Sequence, residues 1–133
     1  MNFRKYEKKD YKFLLELFNE CFNHNYTGSD IKESGNIFVL EDNNIIVGMV
    51  TIDVITNIFK GIKYGYVNDV CVSNKYRGKG YGKILMLNVD KFAKDNGLSY
   101  IMLTSSNKRK IAQSLYRCLG YDIVDTCLFK KIF

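Results

Sequence analysis

Residues 67–83 read Val67-Asn68-Asp69-Val70-Cys71-Val72-Ser73-Asn74-Lys75-Tyr76-Arg77-Gly78-Lys79-Gly80-Tyr81-Gly82-Lys83, and the character of the chain changes twice along them. Valines at 67, 70 and 72 close a β-branched, extended run, and residues 73–80 hold no apolar side chain except Tyr76. Tyr81, Ile84, Leu85, Asn88, Val89 and Phe92 then recur at helical spacing. Strand, loop and helix follow in that order. Gly78, Gly80 and Gly82 stand within five residues, with Arg77, Lys79 and Lys83 among them. Such a loop places exposed backbone N–H groups and positive charge at a helix N-terminus, where the macrodipole also favours an anion. The chemistry asks for a phosphate. A glycine-rich turn that starts a helix while its lysines face water accounts for the same residues.

Two familiar phosphate loops do not fit. Walker A needs glycine five residues before the Gly-Lys pair, where Arg77 stands, and Ser or Thr after it, where Ile84 stands. The dinucleotide fingerprint needs two residues between its second and third glycines and a place after the first strand of a βαβ unit; here Gly80 and Gly82 are separated by one residue and the loop follows three extended runs.

The flanking segments alternate. Phe3 to Tyr6 is a short strand, and Asp10 is placed to cap a helix whose apolar face is Tyr11, Leu14, Leu15, Phe18, Cys21 and Phe22. His24 to Asn36 is polar, contains Gly28, and reads as a loop or short irregular helix placed to border a site. Ile37 to Glu41 and Ile45 to Val54 form a hairpin through Asp42-Asn43-Asn44, and Tyr64 to Val72 extends its sheet. Asn96-Gly97 stops the second helix, Tyr100 to Thr104 is a strand, and Lys108 to Leu119 is a helix ended by Gly120. Tyr121 to Ile132 closes as one or two strands. The order β-α-β-β-β-α-β-α-β mixes hairpins and crossovers, which excludes an all-parallel sheet and an all-β sandwich. The fold class is α+β, a mixed sheet with helices.

The chain has 133 residues, 47% of them apolar and 26% charged, which suits one domain over residues 1–133. No apolar run approaches the roughly 20 residues of a membrane span, and the opening residues run into charge rather than a leader core. Twenty Lys and Arg against fourteen Asp and Glu give +6, a balance that suits an anionic partner. Cys21, Cys71, Cys118 and Cys127 form no C-x-x-C pair, and His24 is the only histidine, which argues against a metal. The four cysteines read as small buried hydrophobes in a reducing, cytoplasmic setting. The clusters Lys5, Lys8, Lys9 and Lys108, Arg109, Lys110 read as solvated helix ends, without the aromatic interleaving of a nucleic-acid site.

Arg77, Gly80 and Gly82 spell R-x-x-G-x-G, and Ala112, Leu115, Tyr116, Gly120 and Tyr121 spell A-x-x-h-Y-x-x-x-G-Y about 40 residues on. With Arg4-Lys5-Tyr6, Asp10 and the hairpin, nearly the whole chain resembles the GNAT superfamily of acetyl-CoA-dependent N-acetyltransferases. The resemblance implies a mixed, mostly antiparallel twisted sheet flanked by helices, with splayed central strands. It implies transfer of acetyl from acetyl-CoA to a primary amine by direct attack in a ternary complex; the alternative is a CoA-binding sensor on the same fold. An amine-bearing small molecule is favoured over a protein amine as acceptor, nucleic acid and membrane are not expected as partners, and a homodimer is left open. The stretch from Gly65 to Lys83 also looks like that of glucosamine-phosphate acetyltransferases.

Residue by residue, the resemblance puts the pyrophosphate on Arg77, Gly78, Lys79, Gly80, Tyr81, Gly82 and Lys83, with Lys75 as a further cation. It puts the pantetheine arm and thioester along a bulged strand at Val70, Cys71 and Val72, with Asn107 also on the arm. Tyr116 is the expected general acid for the leaving thiolate, since a phenol with pKa near 10 stays protonated at neutral pH; a core aromatic with a wet hydroxyl is the plain reading of the same residue. The general base is open. Many relatives carry Glu where this chain has Asn68, and an amide cannot take a proton. Asp69 is the named candidate, although strict strand alternation turns it away from the face of residue 68; Glu41, Glu33, Asp53 and a backbone carbonyl with water also remain. A covalent role for Cys71 is disfavoured because no His stands nearby in sequence.

Overall fold

A computed structural model of the chain describes residues 1–23, 25 and 36–133. Most of the expected loop from His24 to Asn36, Glu33 included, lies outside the described residues. The elements are β1 (Asn2–Lys5), α1 (Tyr11–Phe22), β2 (Asn36–Asp42), β3 (Ile45–Asn57), β4 (Ile62–Val72), α2 (Tyr81–Asp95), β5 (Ile101–Leu103) and α3 (Lys110–Cys118). They build one sheet in the order β1-β2-β3-β4-β5. The first three junctions are antiparallel and β4–β5 is parallel.

Local chemistry explains the joins. Asn43 and Asn44 both sit at positive φ, 50° and 64°, the backbone that a tight two-residue hairpin turn demands and that asparagine tolerates. Alternation along β2 sends Phe38 and Leu40 to one face, where they meet Leu85, Met86 and Val89 of α2, and Val39 to the other, where it meets Leu14 and Leu17 of α1. The sheet is thus a layer between α1 and α2.

The beginning of the chain is tied by charge. The Arg4 guanidinium donates to both carboxylate oxygens of buried Asp10, at 2.7 and 3.0 Å, and to Glu41 at 3.0 Å. Asp10 directly precedes α1 but does not cap it as the sequence suggests. Its carboxylate accepts instead from Arg4 and from the Glu7 N–H at 2.8 Å. That arginine holds the Asp10 carboxyl below the usual carboxylate range, against the opposing effect of burial.

Three further expectations change. The strands expected over Tyr121 to Ile132 do not form; the last packed residue is Tyr121, and residues 122–133 are exposed with no ladder partner among the described residues. Cys21 and Cys71 are not separate buried thiols but a disulfide joining α1 to β4, while Cys118 and Cys127 are exposed. Helix α3 starts at Lys110 with Arg109 as its cap residue, not at Lys108, because Ser106 gathers the local donors: its carbonyl accepts the Arg109 N–H at 2.9 Å and Gln113 Nε2 at 3.0 Å.

Candidate functional site

The site begins with a fault in the sheet. Met49 pairs with Cys71, but Thr51 pairs with Asn68, so Val50 faces both Asp69 and Val70. The extra residue makes a β-bulge, and Asp69 absorbs it at φ 55°, in the left-handed region that Asp tolerates better than most residues. Thr51 completes the bulge: its hydroxyl lies 3.2 Å from the Asn68 carbonyl and 3.1 Å from Asp69 Oδ2. The left-handed turn also overrides strict alternation. Asn68, Asp69 and Val70 all border one cavity, so the expectation that Asp69 faces away from the side of residue 68 is corrected.

That cavity opens where two strands part. β4 and β5 pair at Gly65–Ile101, Tyr66–Met102 and Val67–Leu103 and no further, although β4 continues to Val72. The cavity, of about 340 Å³, has Asn68, Asp69 and Val70 on one wall and Leu103 to Ser106 on the other. Phe22 of α1 and Arg109 and Tyr116 from the start and body of α3 complete it. Its size suits a small acceptor with one end of a larger ligand. Burial pushes the Tyr116 phenol above its ordinary pKa, with nearby Arg109 pulling the other way. The Tyr116 ring rests edge-on against Tyr121 at 5.9 Å.

Sequence reading missed the cavity's cation. Arg109 sits over the Phe22 ring at 5.0 Å and donates to the Cys21 carbonyl at 3.4 Å. The sequence groups it with solvated helix ends; its place immediately before α3, in the segment that follows β5, is the available signal. Ser105 was missed too, and its hydroxyl oxygen is buried beside the cavity with no hydrogen-bond partner among the described residues.

The glycine loop leads from β4 into α2. Gly78 and Gly80 hold φ of 77° and 83°, and a Cβ at Gly82 would press on Leu115 of α3 at 3.3 Å. Two glycines therefore serve the turn and the third serves packing. Gly80, the cap residue of α2, has no side chain to bond the first turn, whose leading N–H groups therefore suit a ligand. Lys75, Lys79 and Lys83 are exposed around them, Lys79 lying over the Tyr76 ring at 5.6 Å. The loop fits an anionic phosphate group by this geometry.

Not every expected ligand side chain faces that way. Arg77 Nε donates to the Val72 carbonyl at 3.1 Å, and its Nη2 lies 3.8 Å from Cys21 Sγ, so this side chain pins the loop to β4 and α1. The Tyr81 hydroxyl donates to Asp42, leaving only its backbone toward the loop. Cys71 offers its backbone alone, since its sulfur is bonded to Cys21 and no thiol is there to accept an acyl group. Asn107 is exposed in the turn before α3, apart from the residues that line the cavity. Glu41 is engaged by Arg4. Among the described residues no group of His, Cys, Asp and Glu is arranged to hold a metal, and no helix is long and apolar enough to cross a membrane.

A bulged strand parting from its parallel neighbour, beside a glycine loop at a helix start, defines a class of acyl-handling folds, and comparison with known proteins agrees. Residues 3–121 match the family described as "Acetyltransferase (GNAT) family", and the chain belongs to it. It is 30% identical over 95 residues to N-acetyltransferase 8F1 of Rattus norvegicus, covering 71% of this chain and 43% of that one. The chain thus spans less than half of that relative. In structure it is similar to a Bacillus halodurans C-125 protein named as a transcriptional regulator, with TM-score 0.87, 18% identity and coverage of 98% and 99% of the two chains. It is also similar to glucosamine-6-phosphate N-acetyltransferase of Arabidopsis thaliana, with TM-score 0.78, 21% identity and coverage of 99% and 98%. These two likenesses speak to the fold.

Proposed function

We propose that residues 1–133 act as one N-acetyltransferase domain, which moves acetyl from acetyl-CoA to a primary amine by direct attack within a ternary complex. The observation that carries this reading is the cavity where β4 and β5 part, because it brings Asp69 and Tyr116 to one space beside open strand backbone. Acetyl-CoA supplies the thioester. The N–H groups at the start of α2, with Lys75, Lys79 and Lys83, would hold its phosphates, and the backbone of Val70 to Val72 would run along its arm.

Within the cavity Asp69 takes a proton from the amine, directly or through one water, since it is the only carboxylate among the described lining residues. The amine nitrogen bonds to the acetyl carbon, the carbon–sulfur bond breaks, and Tyr116 hands its proton to the departing thiolate. A phenol whose pKa is raised by burial is protonated throughout the neutral range and is ready for that role. The orphaned Ser105 hydroxyl and Arg109 then face the acceptor side, which favours a small amine that also carries hydroxyl or anionic groups, an amino sugar or its phosphate among them. The setting we assign is cytoplasmic, where Cys21 and Cys71 would pass between bonded and reduced forms.

Calorimetric titration with CoA, followed by an acceptor screen read by thiol release, tests the proposal. Affinity for CoA with amine-dependent release is expected. CoA affinity without release from any amine would leave a CoA-binding module, and no CoA affinity would end both readings.

A further inference from the structure

Among its described lining residues, the cavity between β4 and β5 holds one carboxylate, Asp69, and one guanidinium, Arg109. They do not pair with each other. The ion pairs among the described residues join Arg4 to Asp10 and Glu41, Lys9 to Glu7, and Lys91 to Asp95, and none includes either side chain. Opposite charges thus border one space with no ion pair to neutralise them.

Arg109 sits against the electrostatics of its own helix. Lys108, Arg109 and Lys110 are consecutive at the start of α3, no acidic residue occupies its first turn, and the macrodipole disfavours cations at that end. A local rule broken in this way marks a position kept for another purpose. The backbone there is fixed on both sides: the Arg109 N–H donates to the Ser106 carbonyl at 2.9 Å, and its own carbonyl accepts the Gln113 N–H at 3.0 Å. The guanidinium lies over the Phe22 ring at 5.0 Å, and Nη2 donates to the Cys21 carbonyl at 3.4 Å. That long bond to the last turn of α1 uses one of five N–H donors, and the others meet no carboxylate among the described residues. The charge also reaches the reacting end of the cavity: burial raises the pKa of the Tyr116 phenol, and Arg109 opposes that rise. The glycine loop is a separate seat, since none of residues 78–83 lines the cavity.

We propose that Arg109 sets acceptor specificity by binding an anionic group, a carboxylate or a phosphate, on the same molecule whose amine meets Asp69, so that the acceptor class is the zwitterionic small amine. The proposal rests on the acetyl-transfer reading of the cavity and narrows it. A zwitterion answers both charges at once, its ammonium toward Asp69 and its anion toward Arg109. A purely cationic acceptor such as a polyamine would bring like charge to Arg109 and leave the guanidinium unanswered, so it is selected against. The planar fork of arginine matches two oxygens of a carboxylate or phosphate. The Ser105 hydroxyl oxygen, buried with no partner among the described residues, adds a polar group to the same cavity for the same ligand.

Initial rates of thiol release with matched acceptors test this in the wild type, Arg109→Gln and Arg109→Lys. Glycine against glycinamide and β-alanine against β-alaninamide probe a carboxylate, and glucosamine 6-phosphate against glucosamine probes a phosphate. Comparing each ratio between proteins cancels the intrinsic reactivity of the amines. In at least one pair the wild type should favour the anionic member by about 30-fold or more in kcat/KM, Arg109→Gln should bring that ratio to within about 3-fold, and Arg109→Lys should restore part of it. The pair that responds tells carboxylate from phosphate. A structural role for Arg109 would lower both members of a pair together and leave the ratio unchanged. Calorimetric titration of the CoA-saturated proteins with glycine, β-alanine and glucosamine 6-phosphate reads binding without turnover, and roughly 10-fold weaker binding of one of them to Arg109→Gln is expected. Ratios near one in the wild type, ratios indifferent to Arg109→Gln, a loss confined to CoA affinity, or a purely cationic best acceptor would each overturn the proposal. If no amine releases thiol, the transfer reading fails, and the titration alone decides: Arg109-dependent binding of an anionic amine upholds the subsite, and no such binding ends it.

Discussion

The Thr51 hydroxyl lies 3.1 Å from Asp69 Oδ2, across the point where β3 and β4 lose register. One contact thus joins the backbone fault to the only carboxylate among the described residues that line the cavity. Asp69 has two separable duties here, holding a left-handed bulge and presenting an acceptor of protons. Asparagine performs the first, because it tolerates positive φ and its amide oxygen can accept from Thr51, but it cannot perform the second. Asp69→Asn should therefore keep the melting temperature within a few degrees and lower kcat by about 10²-fold or more. Steady-state kinetics beside a thermal melt checks this, and an Asn variant with undiminished kcat would reduce Asp69 to a bulge residue.

The raised pKa of Tyr116 sets the pH profile. A general acid works only while protonated, and lifting its pKa above the ordinary value of about 10 moves the loss of that form to higher pH. The amine and its base gain activity as protons leave them. Activity should climb from pH 6 to 9 with no descending limb from the acid below about pH 10. Initial rates in overlapping buffers test this; a fall between pH 7 and 9 in a protein still folded would assign the acid to another group.

The Cys21–Cys71 bond closes a separation of 50 residues and fastens the end of α1 to the strand that carries the bulge. A loop of that length is worth about 2–4 kcal/mol in chain entropy, so reduction should lower the melting temperature by roughly 10 °C. Cys21 also touches Arg77, which pins the glycine loop, and reduction should weaken CoA binding as well. Calorimetry with and without a thiol reductant measures both; equal melting temperatures would show that the bond contributes nothing.

Acid should act through Asp10. Its pKa is depressed in the folded state, first by the Arg4 hydrogen bonds, so its contribution to stability is complete above the unfolded value of about 3.9 and is lost as pH falls through the folded value. Arg4→Met should cost about 2–3 kcal/mol at pH 7 and leave a stability that varies less between pH 5 and 2. Urea titrations of both proteins across that range decide it.

Much of this was legible in the residues themselves. Asn43-Asn44 announced the hairpin, apolar periodicity announced all three helices, and Gly78, Gly80 and Gly82 announced a turn into a helix with open N–H groups. What was not legible depended on contacts distant in sequence. Asp69 read as turned away because a period-2 rule cannot see that Val50 faces two residues. Cys21 and Cys71 read as separate thiols because 50 residues lie between them. Arg109 read as solvated because only the fold lays it on Phe22. The strands expected after Tyr121 are absent because residues 122–133 find no ladder partner among the described residues.

Thiol release from acetyl-CoA by the wild type and by Tyr116→Phe, with and without the best amine from the screen, tests the central claim most directly. The substitution removes one hydroxyl and keeps the ring against Tyr121, so fold and CoA affinity should stay. The account predicts amine-dependent release by the wild type and a rate about 10²-fold lower in the variant at unchanged CoA affinity. Equal rates for the two proteins, or no release by the wild type with any amine, would contradict it.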